Sequence, residues 1–186
     1  MGRSAHRFER RPPASSDDES GGLRSQADPE SEARAVVLRR LTLAARTRAE
    51  LAEGLAERGF DIDVIDRVLD RFEEVGLIDD AAFAGSWVAS RHRTRGAARS
   101  VLRQELRNKG VDDELAESAL ATITPEDELI RARALVDRKL ISLRCDDREQ
   151  SARRLVAYLR RRGYGGSIAF TVVSEALDLH DVQMDG

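Results

Sequence analysis

One hydrophobic pattern recurs three times along the chain: leucine, three residues, leucine, three residues, glycine, then an apolar residue. It appears as Leu51-Leu55-Gly59-Phe60, as Leu102-Leu106-Gly110-Val111 and as Leu155-Leu159-Gly163-Tyr164, at a period of about 50 residues. Leucines four apart share one face of a helix, and a glycine four residues on can take the left-handed conformation that ends it. The apolar residue after the glycine can then pack back on the helix it leaves. A second helix is predicted after each stop, with apolar residues at i, i+1, i+4 and i+5. These are Val64, Ile65, Val68 and Leu69, then Leu115, Ala116, Ala119 and Leu120, then Ile168, Ala169, Val172 and Val173.

A further helix precedes each pair, at roughly residues 30 to 45, 80 to 94 and 125 to 141. Several starts carry caps: Asp28-Pro29, Asp79, Thr124-Pro125, and the capping-box spacings Thr47/Glu50 and Asp146/Glu149. Nothing reads as a buried strand. The fold expected is all-α, with three tandem three-helix repeats forming an elongated, curved array. A single bundle whose helices share glycine stops is the bland alternative, and it must treat three matching blocks as chance. The expected divisions are a disordered tail over 1–30, repeats over 31–78, 79–123 and 124–179, and a C-terminal tail over 180–186. The first tail is rich in Pro, Gly, Ser and Asp and poor in apolar residues. Gly54 stands within a predicted helix, where it is about 1 kcal/mol less favourable than alanine.

Composition agrees with charge-laced helices: 35% of the 186 residues are charged and 4% aromatic, and the net charge is −3. That average hides an uneven distribution. Residues 50 to 80 hold eleven acids against three arginines, whereas residues 91 to 109 hold seven cations against Glu105 alone. Residues 131 to 162 are basic again. Arg95, Arg99, Arg103 and Arg107 recur every four residues, and on one helix they would form a stripe rising about 18 Å, long enough to follow several phosphates. In the third repeat Arg154, Tyr158, Arg161 and Arg162 set a phenol among guanidiniums. Two interpretations of Tyr158 stand, base stacking beside phosphate contacts and core filling beside Leu155 and Leu159.

Signs of catalysis are missing. Gly163-Tyr164-Gly165-Gly166 follows a helix and lacks the strand and the Gly-Lys-Ser/Thr of a phosphate loop. The aspartates of the first repeat fall at caps and on exposed faces, and His6, His92 and His180 are far apart. No enzyme, metal or cofactor is expected. Phe83 and Trp87 read first as core aromatics leading into the basic belt. Cys145, the single cysteine, reads as an incidental thiol near Arg144 and Arg148, and with no signal peptide or membrane span apparent the expected location is the cytoplasm.

The stretch Gly76-Leu77-Ile78-Asp79-Asp80, Phe83-Ala84, Trp87-Val88, Arg91, Gly96, Leu102, Glu105-Leu106, Lys109-Gly110-Val111 and Ala119-Leu120 resembles the bacterial RecX family. The resemblance runs from about Ala35 to Ala176. It implies a non-catalytic modulator of the RecA recombinase that binds the RecA–DNA filament and inhibits ATP hydrolysis, strand exchange and co-protease function, within the regulation of DNA repair and the SOS response. The expected filament-facing residues are Arg91, Arg95, Arg99, Arg103, Arg107, Lys109, Arg153, Arg154, Tyr158, Arg160, Arg161 and Arg162. The acidic Glu53, Glu57, Asp66, Asp70, Glu73 and Glu74 are expected to face RecA. The partners expected are RecA and its filament, with single- and double-stranded DNA of any sequence as further ones, and the chain is expected to be a monomer with no membrane contact. Two other classes remain open on the residues alone. A helix-turn-helix-like transcription regulator would place the arginine-striped helix in a major groove, and a pure protein-interaction solenoid would have no DNA affinity.

Overall fold

The computed structural model describes residues 28–143 and 147–184. Among these residues all regular structure is helical: α1 (Pro29–Leu43), α2 (Arg48–Ala56), α3 (Ile62–Glu74), α4 (Asp80–Arg95), α5 (Arg99–Asn108), α6 (Asp113–Leu120), α7 (Pro125–Ile141), α8 (Arg148–Arg160) and α9 (Gly166–Met184). The predicted tail over 1–30 falls mainly on residues outside those described, as do Cys145 and Asp146. Helix α9 runs through Met184, so most of the predicted C-terminal tail over 180–186 is helical instead.

The repeated pattern works as its spacing implies. Gly59, Gly110 and Gly163 have φ of +83°, +70° and +88°. Immediately after each, the N–H of Phe60, Val111 and Tyr164 donates to the carbonyl of Leu55, Leu106 and Leu159 at 3.3, 3.1 and 3.3 Å. This is the six-to-one bond that satisfies a helix's last carbonyls. All six pattern leucines are buried, each contributing about 2 kcal/mol of apolar burial. At the starts, Asp28, Asp79 and Thr124 accept from Glu30, Ala82 and Asp127 N–H groups, and Thr47 and Glu50 form a complete capping box. Asp147, one residue beyond the predicted Asp146, is the cap of α8 and accepts from the Glu149 N–H.

Three hydrophobic clusters correspond to three helix triplets, α1–α3, α4–α6 and α7–α9, and in each triplet the third helix packs on both others. The most extensive helix packing lies within triplets, so the molecule is an array rather than one shared core. The Gly54 weak point in α2 has a packing reason: the Arg40 guanidinium lies where a Cβ would stand, and Arg40 Nη1 donates to the Glu50 carbonyl at 3.1 Å.

Neighbouring triplets meet through a joint that occurs twice. In the first, the start of α2 abuts the glycine turn after α5. Thr47 Oγ1 donates to the Lys109 carbonyl at 2.7 Å, the Arg48 N–H donates to Asp80 at 2.9 Å, and a Cβ on Gly110 would overlap the Ala49 methyl. In the second, the start of α5 abuts the turn after α8. The Ala98 N–H donates to the Arg162 carbonyl at 2.9 Å, the Arg99 N–H to Glu128 at 2.8 Å and Ser100 Oγ to the Gly163 carbonyl at 2.6 Å. In both, a carboxylate on the next triplet's first helix takes an orphan N–H of the middle helix. Helix α8 begins a full turn further ahead of its pattern leucine than α2 and α5 do, and Ser151, the counterpart of Thr47 and Ala98, is buried inside it.

Candidate nucleoprotein interface

The basic residues singled out along the sequence separate into two groups. The four-residue arginine stripe is not one helical face, because Gly96 takes φ +61° and ends α4 directly after Arg95, and α5 begins only at Arg99. Within α5, Arg103 forms a two-pronged pair with Glu117, and Arg107 binds Asp113 at 2.9 and 3.3 Å. These hydrogen bonds hold the Glu117 and Asp113 carboxyls below their usual range and keep both arginines more firmly protonated. Arg153 pairs with Glu149 at 2.6 Å. The Nε of Arg99 is buried at the second joint without a partner. Much of the predicted belt is therefore already neutralised by carboxylates of its own repeat.

Around the first joint the cations are also matched. Lys109 Nζ lies 2.6 Å from Glu50 and 4.6 Å from the Trp87 ring centre, while Arg91 lies 4.2 Å above the same ring. Trp87 stacks on Phe83 with centroids 5.6 Å apart and donates through Nε1 to Glu105 at 2.7 Å. Both rings are half-buried, packing on the second core and lining a hollow shared with Leu41 of α1 and with Ala45 just after it.

The second joint differs. The ends of α4, α7 and α8 surround a groove of about 490 Å³ that brings together Arg95, Arg138, Arg161 and Arg162, with Glu105 the carboxylate on its wall. Tyr158 and Arg161 also line an adjoining hollow of about 360 Å³ with Lys139 and Arg154. Arg95, Arg138, Lys139 and Arg161 have no ion pair among the described residues, whereas Arg154 is engaged. Arg162 is held in place: its Cζ lies 3.8 Å from the Tyr158 ring centre and its Nε donates to the Arg95 carbonyl at 3.3 Å. Arg160 is exposed at the end of α8. Arg138 and Lys139 were not among the predicted site residues. Their signal was the basic last turn of α7, which the helix dipole alone would explain.

In the third core Tyr164 is buried with its hydroxyl unpartnered. Burial first, then the nearby Glu128 charge, pushes its pKa up to about 12, so it stays neutral.

On the first repeat, Asp66, Asp70 and Glu73 of α3 surround the Arg48 guanidinium at 3.3, 2.8 and 3.0 Å, and Glu74 binds Arg71 at 2.8 Å. Glu53 and Glu57 are exposed on α2 and its cap. Half of the predicted acidic surface thus serves to tie α2 to α3. Among the described residues no three His, Cys, Asp or Glu side chains gather as a metal site, and no helix is long and apolar enough to cross a membrane.

Residues 33–72 match the family described as RecX, first three-helix domain, and residues 79–120 the one described as RecX, second three-helix domain. The "Regulatory protein RecX" of Thermobifida fusca is 44% identical over 169 residues, 91% of each chain. Its counterpart in Mycolicibacterium smegmatis is 51% identical over 152 residues, 80% of this chain and 81% of that one. The crystal structure of RecX from Lactobacillus salivarius superposes with a TM-score of 0.73 at 26% identity, covering 82% of this chain and 99% of that one. With three helical triplets, two like joints and this degree of likeness, the chain belongs to the RecX family of regulatory proteins.

Proposed function

We propose that this chain is a non-catalytic, cytoplasmic regulator of the RecA recombinase. It binds the RecA–DNA filament and lowers ATP hydrolysis, strand exchange and co-protease activity. The observation that carries the proposal is the groove at the second joint with the hollow beside it, where Arg95, Arg138 and Arg161, and Lys139 in the hollow, lack the internal carboxylate partners found elsewhere. Unmatched cations gathered from three helices suit a polyanion, and a filament presents phosphates beside protein along one track. The acidic face of the first repeat, including Glu53 and Glu57, then meets basic protein surface. A recognition helix would instead need Arg103 and Arg107 free for base edges, and both are engaged.

The test is a RecA ATPase and strand-exchange assay with the protein well below one molecule per RecA subunit. Wild type inhibits both. The groove variant R95E/R138E/R161E loses inhibition by about tenfold or more in concentration, and R103E/R107E loses markedly less. Equal inhibition by wild type and the groove variant would overturn the proposal.

A further inference from the structure

Tyr158 is a half-buried phenol that lines both the groove at the second joint and the hollow between α7 and α8 beside it, whereas Arg162 lines only the former. Arg162 lies against the ring at 3.8 Å, and its bond to the Arg95 carbonyl holds the guanidinium there. The ring is thereby braced from the α4 side. Tyr158 also lines the smaller hollow, together with Leu143, Ala157, Ser142, Lys139, Arg154 and Arg161. A flat aromatic wall, an apolar floor, a hydroxyl and nearby cations form a receptor of a recognisable kind. Stacking takes the flat face of a base, while Lys139 and Arg161 take the phosphates that flank it.

We propose that this hollow receives one unpaired base of single-stranded nucleic acid, stacked on Tyr158, with its backbone crossing from Lys139 over Arg161 into the groove of Arg95 and Arg138. A paired base cannot enter, because its faces are covered by neighbours in the duplex. The site therefore distinguishes a single strand from a duplex by base access, although both supply phosphates. This deepens the filament proposal, on which it rests for the track of the strand. The phosphate contacts provide the attraction and the Tyr158 wall the discrimination.

The experiment uses the full chain and two fluorescent oligonucleotides with identical phosphates, an oligo-dT and the same length with abasic residues throughout, compared by anisotropy at one salt concentration. Wild type binds oligo-dT about tenfold more tightly than the abasic strand. Tyr158→Phe keeps that ratio, and Tyr158→Leu, which retains core packing, brings it close to one while still binding the abasic strand as wild type does. Circular dichroism and thermal unfolding verify that each variant is folded. A wild-type ratio near one, or an undiminished ratio in Tyr158→Leu, would overturn the proposal. The RecA assay separates the two ideas. If wild type fails to inhibit RecA, the filament proposal falls while the ratio stands; if it inhibits and the ratio is one, only the stacking site falls.

Discussion

The two joints of this array share a skeleton and differ in charge. Each sets the start of one middle helix on the glycine turn of the next, and each gives an orphan N–H to a carboxylate across the boundary. At the first joint the nearby side chains are matched, with Lys109 on Glu50 and Arg48 amid Asp66, Asp70 and Glu73. At the second, Arg95, Arg138 and Arg161 are left over around Tyr158 and Arg162. Backbone geometry repeats because the helices must dock in the same way. Charge is free to diverge because it lies on the rim, where solvent tolerates either arrangement. The matched joint is a structural contact, and the unmatched one leaves cations available to the proposed partner.

The comparison can be broken most directly at the glycine turns. Gly163→Val puts a branched side chain at φ +88° and into Ser100 and Val101 across the joint, whereas Gly59→Val meets the same left-handed strain at a turn with nothing within 4 Å. Urea denaturation should show a loss of about 3 kcal/mol for the former and roughly half that for the latter. Equal losses would mean that the second joint is not closely packed.

Next in size is Thr47→Val, which keeps the shape but removes a fully buried hydroxyl that donates to the Lys109 carbonyl and accepts from the Glu50 N–H. Loss of about 2 kcal/mol is expected in the same assay, because both partners lose a bond in a dry contact. No change would show the first joint to be open to water.

Smallest is a pH effect at Asp80, whose carboxyl is raised above its ordinary 3.8, first by burial, and then against the bond from the Arg48 N–H; Asp79 and Glu50 add to the rise. A raised folded value means the native state holds the proton more tightly. The stabilisation from this group is complete below the ordinary aspartate range and is lost as pH rises through the folded value. Asp80→Asn removes that dependence, so the variant should gain on wild type as pH climbs through this window and then hold a constant difference. A difference that is flat from pH 3 to 7 would place Asp80 in water.

Much of the fold was legible because it is local. The helices predicted at about 30 to 45, 80 to 94 and 125 to 141 appear as Pro29–Leu43, Asp80–Arg95 and Pro125–Ile141, each announced by a cap or a proline. The candidate interface was legible only in part. Arg95, Arg161 and Arg162 were named and do converge, as does Tyr158. Arg103 and Arg107 were named too, yet their partners Glu117 and Asp113 stand on a different helix, and spacing within α5 could not announce them. Arg138 carries no distinct signal, because a basic residue near a helix C-terminus is ordinary. Of the two sequence interpretations of Tyr158 the structure shows the packing on the third core, and the same side chain also lines the two hollows.

What depends on neighbours within a turn or two was written in the chain: leucines on one face, glycines that end a helix, caps that begin one, and the threefold period that follows. These features rest on steric and hydrogen-bonding rules that act over a few residues. Which cations remain without partners was settled only on folding, since most pairings join residues from separate helices. Gly96 ends α4 and divides the arginine stripe, the joint carries Arg162 to the Arg95 carbonyl, and α7 brings Arg138 beside them. Charge along a sequence is additive, but charge available to a partner is what remains after the fold has paired its own.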